Sequence, residues 1–207
     1  MHGSNIAGAW CFALALFASA CALAEDAVVG SVLAVRGAVF VESDGSLQPL
    51  RANAPIRSGD AIVSDEGKAR IALDDGSVIS VGEHARVWIR RYEPKAGNVK
   101  GKLALVSGAL RLLVASVAPD GSFEVESETA VAAVRGTEWL MEATPEQTAV
   151  ALMSGTVAVA SRDRPETSVV LQSPGEGTDV RRGSPPAPPV TWGARRFADV
   201  LARATFD

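Results

Sequence analysis

The chain has 207 residues, of which 47% are hydrophobic and 5% aromatic, and its formal net charge is -4. This length predicts one domain with short appendages, and the acidic balance excludes a global basic surface for nucleic acid. The apolar content is largely Ala and Val, which fits many short strands better than an aromatic-lined enzyme cleft.

The N-terminus has the pattern of a secretory signal peptide. Residues 10–22 are apolar and uncharged, and Ala-Leu-Ala at 22–24 is a typical cleavage signal. We therefore predict a signal peptide over residues 1–24, cleavage near Ala24, and a periplasmic or secreted protein of a Gram-negative envelope. The apolar run is shorter than the roughly 20 residues that a membrane span needs. We thus expect no transmembrane span in the mature form; the alternative is an uncleaved anchor.

Both cysteines of the chain, Cys11 and Cys21, lie inside this leader. The mature chain would therefore have no disulfide and no thiolate site. Residues 18–21 approximate a lipoprotein cleavage box, so lipidation of Cys21 is an alternative to simple cleavage.

Short strand-like runs follow, with turn residues between them. In residues 122–128, Phe123 and Val125 alternate with Glu124 and Glu126, which predicts a strand with one buried face. Asp-Gly at 75–76 is a strong hairpin signal. We predict a β-domain over residues 25–172, all-β, with many short antiparallel strands in a sandwich, a barrel or a solenoid.

A short motif recurs four times in this region, as an apolar residue, Arg or Ser, and then Gly. The copies are VRGAV at 35–39, VSGAL at 106–110, VRGTE at 134–138 and MSGTV at 153–157. A glycine at the same place in successive strands suggests a bulge, a corner or a close backbone approach.

The C-terminal part changes composition. Residues 173–190 are rich in Pro and Gly, which predicts a linker. Residues 191–207 predict an amphipathic helix, in which Phe197, Val200 and Leu201 share one face. A helix this short is marginal in water, so we expect it to dock on the domain, which we favour, or on a partner protein.

The ordered blocks of the chain resemble the FecR-domain family. Residues 57–87 and 123–161 carry the resemblance, which extends from about residue 28 to 160. Val134, Arg135, Gly136 and Thr137 match the family's most distinctive tetrapeptide. Trp139 stands at its aromatic position.

This resemblance implies an all-β periplasmic module of the kind found in iron-dicitrate-type signalling regulators. Those regulators carry an N-terminal segment that binds a sigma factor, then a transmembrane helix, and later a receptor-contacting domain. In this chain we expect a signal peptide where those regulators have the sigma-factor-binding segment and the transmembrane helix. We expect a linker with one short helix where they have the receptor-contacting domain. The resemblance therefore implies the fold and the compartment, and it does not imply anti-sigma activity.

Two groups of side chains are candidate contact sites. Arg135 could bind a ligand, or its guanidinium could tie the corner by hydrogen bonds; Arg36 at the equivalent repeat position favours the structural role. Arg86, Trp88 and Arg90 should share the outer face of one strand. Such residues are enriched at binding hot spots, although the tail could instead cover Trp88.

No catalytic, cofactor or metal site is predicted. His84 is the one histidine after the leader, and a transition-metal site would need convergent partners. We expect a non-enzymatic protein-interaction module, for signalling or envelope assembly, with an envelope protein as its partner and no nucleic acid. The alternative is a sensor or carrier of a small anionic chelate or glycan, bound at the Arg-bearing corners.

Processing of the leader gives a first test. The secreted protein should begin at Glu25, because the cleavage signal ends at Ala24. Intact-mass measurement checks this, and a mass that retains Cys21 with acyl chains would support the lipoprotein alternative instead.

Overall fold

The computed structural model describes residues 27–95, 98–115 and 121–206. The predicted signal peptide lies outside these residues. An all-β fold with one short C-terminal helix is confirmed. The strands, in chain order, are β1 (Val28–Arg36), β2 (Val39–Ser43), β3 (Ser46–Pro49), β4 (Pro55–Arg57), β5 (Ala61–Ser64), β6 (Lys68–Leu73), β7 (Val78–Val81), β8 (Arg86–Lys95), β9 (Asn98–Leu113), β10 (Ser122–Glu126), β11 (Ala130–Val134), β12 (Glu138–Ala143), β13 (Gln147–Ser154), β14 (Val157–Ser161), β15 (Ser168–Leu171), β16 (Glu176–Arg181) and β17 (Val190–Thr191), and the helix is α1 (Ala194–Ala204).

The strands form two sheets. Sheet 1 has the order β4-β1-β6-β7-β9-β12-β13-β16-β17. Sheet 2 has the order β3-β2-β5-β8-β9-β10-β11-β14-β15. Among the described strands every pairing is antiparallel except that of β9 with β10. The predicted antiparallel arrangement therefore holds for most of the fold.

Strand β9 belongs to both sheets and is longer than the sequence pattern suggested. Its first part pairs with β8 and β10 in sheet 2, and its last residues pair with β7 and β12 in sheet 1. The change of sheet falls at Gly108, which has a φ of 88°. The two sheets are therefore joined through the middle of one strand as well as through loops.

The core lies between the two sheets. Both contribute alternate residues to one buried cluster, which follows from the period of two along a strand. Ile71 of sheet 1 and Ile62 of sheet 2 are fully buried there, as are Phe123 and Trp139. The predicted alternation in β10 is confirmed, because Phe123 and Val125 are buried while the glutamates between them are partly exposed.

The hairpin predicted at Asp75-Gly76 joins β6 to β7. Gly76 has a φ of 87°, and the Leu73 N–H donates to the Ser77 carbonyl at 2.8 Å. The Asp75 carboxylate accepts from the Ser77 N–H, also at 2.8 Å. These bonds are those of a tight turn in which the acidic side chain satisfies the backbone.

The linker prediction for residues 173–190 is wrong in its central part. Glu176–Arg181 form β16, which pairs with β13 inside sheet 1. The Pro-rich segment then runs back along β16, where the Ala187 N–H donates to the Asp179 carbonyl at 2.9 Å. The Pro and Gly content predicted a linker, but here glycines lie in the turns on both sides of the strand and prolines cover the sheet edge.

Helix α1 packs on the outer face of sheet 1, as the fold-back alternative requires. Its Val200 and Ala204 join Leu140, Ala149 and Ala151 in a second buried cluster. The alternative in which the tail covers Trp88 is wrong, because Trp88 lies on sheet 2. No helix in the described part of the chain is long and apolar enough to cross a membrane.

Polar contacts fix the position of α1 on the sheet. The ammonium of Lys68 donates to the Ala202 carbonyl at 2.7 Å, near the helix C-terminus, where a cation is favourable. Arg203 pairs with Glu142 at 2.8 Å. A side chain on Gly82 would lie 2.3 Å from the Arg203 carbonyl, so the helix end rests directly on the sheet backbone.

Substitution in the helix tests whether this packing stabilises the domain. Val200→Ala should lower the free energy of unfolding by about 1–2.5 kcal/mol, because the side chain is only 2% exposed. Ala198→Ser on the exposed side of the same helix should change it by less than about 0.5 kcal/mol. Equal effects in equilibrium denaturation would show that α1 does not contribute to the folded unit.

Candidate functional site

The repeated motif marks the corners where the chain passes between the sheets. Its glycines all have positive φ values, a conformation that glycine adopts without steric cost. Each lies between a segment of one sheet and a segment of the other. The values are 72° for Gly37, 88° for Gly108, 63° for Gly136 and 90° for Gly155.

Two of these corners pack against each other. The Thr137 hydroxyl donates to the Thr156 carbonyl at 2.8 Å, and it accepts from the Thr156 N–H at 3.3 Å. A side chain on Gly155 would lie 2.7 Å from the Gly136 carbonyl. The corner at the family tetrapeptide is therefore held by one buried hydroxyl and a close backbone approach.

The flanking apolar residues of the tetrapeptide anchor this corner in the core. Val134 ends β11 with its side chain buried, and Trp139 in β12 is fully buried. The strand period places both side chains between the sheets. Within the described residues the Trp139 indole N–H has no hydrogen-bond partner, so its contribution is packing.

Arg135 does not have the structural role that the repeat suggested. Its side chain is exposed, and in the described part of the chain it makes no hydrogen bond or ion pair. Val134, the last residue of β11, points inward, and Arg135, which follows it, points outward. The hydroxyl of Thr137 ties the corner instead. Arg36, at the equivalent position, lies over the ring of Phe206 at 5.7 Å.

A shallow hollow of about 390 Å³ lies beside Arg135 on the outer face of sheet 2. Ala133 and Ala158, opposite each other on β11 and β14, lie in it. Glu124 also lines it, and this carboxylate has no ion-pair partner among the described residues. We call this feature the Arg135 hollow.

Arg86, Trp88 and Arg90 form an Arg–Trp–Arg cluster on the same outer face. The guanidiniums of Arg86 and Arg90 lie over the Trp88 ring at 5.4 and 4.8 Å. Arg86 also pairs with Glu42 on β2, whereas Arg90 has no carboxylate partner in the described part. The half-buried indole thus lies between two cations.

The surface between the cluster and the hollow carries small apolar side chains together with the ion pair of Lys102 and Glu126, at 2.9 Å. Ala104 stands opposite Trp88 on β9, and Glu126 follows on β10. The other apolar positions of this open face, as we name it, are Val106, Val131, Ala133, Ala158, Ala160 and Val170. Three strand spacings separate Trp88 from Ala133, which is about 15 Å.

The tail residues lie on the other side of the molecule. Val200 is buried against sheet 1, so it is not accessible to a partner while α1 is docked. Phe197 and Leu201 are partly buried and line a groove of about 590 Å³ with Met153 and Trp192. The structure therefore separates Arg86, Trp88 and Arg90 from the three tail residues that the sequence offered as contacts.

The shifted pKa values have structural causes. Burial, assisted by the charge of Asp75, raises the pKa of the Tyr92 phenol, which therefore stays neutral. The N–H groups of Gln172 and Ser173 donate to Glu176 at 2.8 and 3.0 Å and lower the pKa of that carboxyl. His84 is an exposed turn residue with a φ of 53°.

Metal-binding side chains do not converge in the part of the molecule that is described. No group of three or more His, Cys, Asp or Glu residues is placed to hold an ion within residues 27–95, 98–115 and 121–206.

Sequence reasoning missed the partner of Thr137 and the Arg135 hollow. The dipeptide Gly-Thr occurs at 136–137 and again at 155–156, and this repetition is the signal that could have paired the two corners. The hollow had no such signal, because it depends on which alanines β-pairing places side by side.

These features define a two-sheet β-domain whose site is a surface rather than a cleft. Residues 60–158 match the family model described as FecR protein. The resemblance to this family seen in the sequence is therefore confirmed over these residues.

Solved structures share the fold. Two crystal structures of a candidate anti-sigma factor from Parabacteroides distasonis match with TM-scores of 0.53 and 0.52, at 21% and 22% identity. Each match covers 67% of this chain and 62% of the other, so the chain spans less than two thirds of the length of those proteins. No curated protein matches the sequence.

Replacement of Gly155 tests the close approach between the corners. Gly155→Ala should lower the free energy of unfolding by about 2–4 kcal/mol, because positive φ and a backbone clash add together. Gly45→Ala, with a φ of 74° and nothing within 4 Å, should cost only about 1 kcal/mol. If both variants lose the same amount in denaturation, the packing of the corners is not the cause.

Removal of the Thr137 hydroxyl tests the hydrogen bonds separately. Thr137→Val keeps the shape but leaves the Thr156 N–H and carbonyl without this partner, which should cost about 1–3 kcal/mol. The matched control is Thr144→Val, whose hydroxyl bonds to Gln147 at an exposed turn. If Thr137→Val lowers the free energy of unfolding no more than Thr144→Val does, the Thr137 hydroxyl does not hold the two corners together.

Proposed function

We propose that this chain is a non-enzymatic protein-interaction module of the bacterial envelope. It binds another protein through the open face of sheet 2, with the Arg–Trp–Arg cluster at the centre of the contact. The match to the FecR family model supports a signalling or regulatory role at the envelope. The predicted leader supports delivery to the periplasm or secretion.

One observation carries this proposal: the outer faces of the two sheets are not alike. Sheet 1 buries the part of its outer face around Leu140, Ala149 and Ala151 under α1, whereas Leu33 and Leu113 of that sheet stay exposed. Sheet 2 has no such cover in the described part, and it exposes Val106 by 46% and Val170 by 44%. A protein that covers one apolar face with its own helix and leaves the other open has a surface for a partner.

The composition of the open face fits protein recognition. Trp and Arg dominate binding hot spots, and their energy is largest where surrounding contacts exclude water. Here Trp88 is pre-positioned by Arg86 and Arg90 and therefore loses little side-chain freedom on binding. The small residues around it allow a partner backbone to come close to the sheet.

A second candidate function is the binding of a small anionic ligand at Arg135. The exposed guanidinium without a carboxylate partner supports it. Glu124 on the rim of the same hollow opposes it, because a second negative charge there repels an anion. A carboxylate ligand that raised the melting temperature, an effect lost in Arg135→Gln, would favour this candidate.

Photo-crosslinking in the producing cells tests the main proposal. A photoreactive phenylalanine at Val106 or Val170 should give one discrete protein adduct. The same residue at Leu33, which is 49% exposed on β1 of sheet 1, should give none. Introducing Trp88→Ala or Arg90→Ala should then reduce the adduct by about tenfold or more, as expected for hot-spot residues.

The Arg90 variant separates binding from folding, because Arg90 is exposed and its loss leaves the core intact. An adduct at Leu33 but not on the open face would contradict the proposal. So would adducts that persist unchanged in both variants.

A further inference from the structure

We propose that the Arg135 hollow accepts an aromatic side chain of the partner protein. This rests on the proposed function, because it names the chemistry that the open face recognises. The ring would lie in the hollow lined by Ala133 and Ala158, with the Arg135 guanidinium over its face.

The shape of the hollow favours a flat group. Its volume is about 390 Å³, and Ala133 and Ala158 offer only methyl groups. Phe123 lines it too, but that ring is 1% exposed and belongs to the core. A side chain resting here therefore meets short apolar groups, and a planar ring can contact both alanines at once.

The charges on the rim favour an aromatic group over an anion. Arg135 and Glu124 both line the hollow, and neither has an ion-pair partner in the described part of the chain. The face of an aromatic ring is negative and its edge is positive. A ring can therefore present its face to Arg135 and its edge to Glu124, whereas a carboxylate would be attracted by one and repelled by the other.

The chain itself shows how an arginine of this motif is used. Arg36 and Arg135 occupy the same place in the two VRG copies. The ring of Phe206, near the end of the tail, lies under the Arg36 guanidinium at 5.7 Å. At one corner the aromatic residue is thus supplied by the protein, and at the other the equivalent place is open.

The corner also pre-organises Arg135. Gly136 and Thr137 are fixed by the contact with Gly155 and Thr156, so the backbone that carries the guanidinium is rigid. Only the side chain loses freedom on binding, which favours even a small contact.

Amide chemical shifts of the isotope-labelled protein test this inference with defined probes. N-acetyl-phenylalaninamide should shift the amides of Ala133, Arg135 and Ala158 saturably, in the millimolar range. N-acetyl-leucinamide is the apolar comparison, and the α-amide of N-acetyl-aspartic acid, with its side-chain carboxylate free, is the anionic one. Arg135→Gln should weaken the phenylalanine probe about 3–10-fold, in line with a cation–π contact. Arg164→Gln, at an exposed loop position, should leave it unchanged.

Filling the hollow gives an independent variant. Ala158→Ile occupies the floor without touching Arg135, and it should abolish the shifts. The inference would be overturned if the leucine probe shifted these amides as strongly as the phenylalanine probe and Arg135→Gln had no effect. It would also be overturned if only the aspartate probe shifted them. Absence of any response up to about 50 mM would overturn it as well. Because the probes need no partner, this result is independent of the crosslinking that tests the proposed function.

Discussion

The fold depends on how sharply the backbone can turn at the corners between the two sheets. Most strands have one face in the common core, so a chain that alternates between sheets must change its direction within a few residues. Positive φ at the repeat glycines makes this possible. Close packing then makes the corners interdependent, since Gly155 leaves room only for hydrogen against the Gly136 carbonyl. The surfaces follow from this constraint, because the corners decide which side chains each sheet turns outward.

The two outer faces differ because, among the described residues, a helix packs on sheet 1 and none packs on sheet 2. The tail crosses the end of sheet 1, where Trp192 packs flat against Gly177, and α1 then covers Leu140 and its neighbours. Since α1 has no side-chain cap at its N-terminus, its stability comes from this packing. Sheet 2 keeps its apolar residues small and places a cation-flanked Trp88 among them. Small side chains keep the exposed apolar area low, and Trp88 with its two arginines stays accessible to a partner.

Much of the fold could be predicted from the sequence, because the strand period and the turn residues are local signals. The hairpin at Asp75-Gly76, the alternation in β10 and the amphipathic helix all follow from spacing. The error at β16 had a physical origin: a strand that carries Gly177 and Asp179 has weak intrinsic β-propensity, and its pairing with β13 supplies what propensity does not. The role of Arg135 and the Arg135 hollow depended on contacts between distant strands, which no local pattern contains.

The family tetrapeptide combines two tasks in adjacent residues. Thr137 turns its hydroxyl inward and binds the next corner, while the Arg135 side chain turns outward and makes no hydrogen bond or ion pair in the described chain. The turn at Gly136, which has a φ of 63°, makes this division possible. In a continuous strand residues 135 and 137 would share one face, and the reversal of the backbone between them separates the two side chains. A motif held only for structure would need the glycine and the threonine. An arginine that is rigidly presented beside an open hollow requires a further reason, and recognition of another protein is the reason that the charges and shape of that surface support.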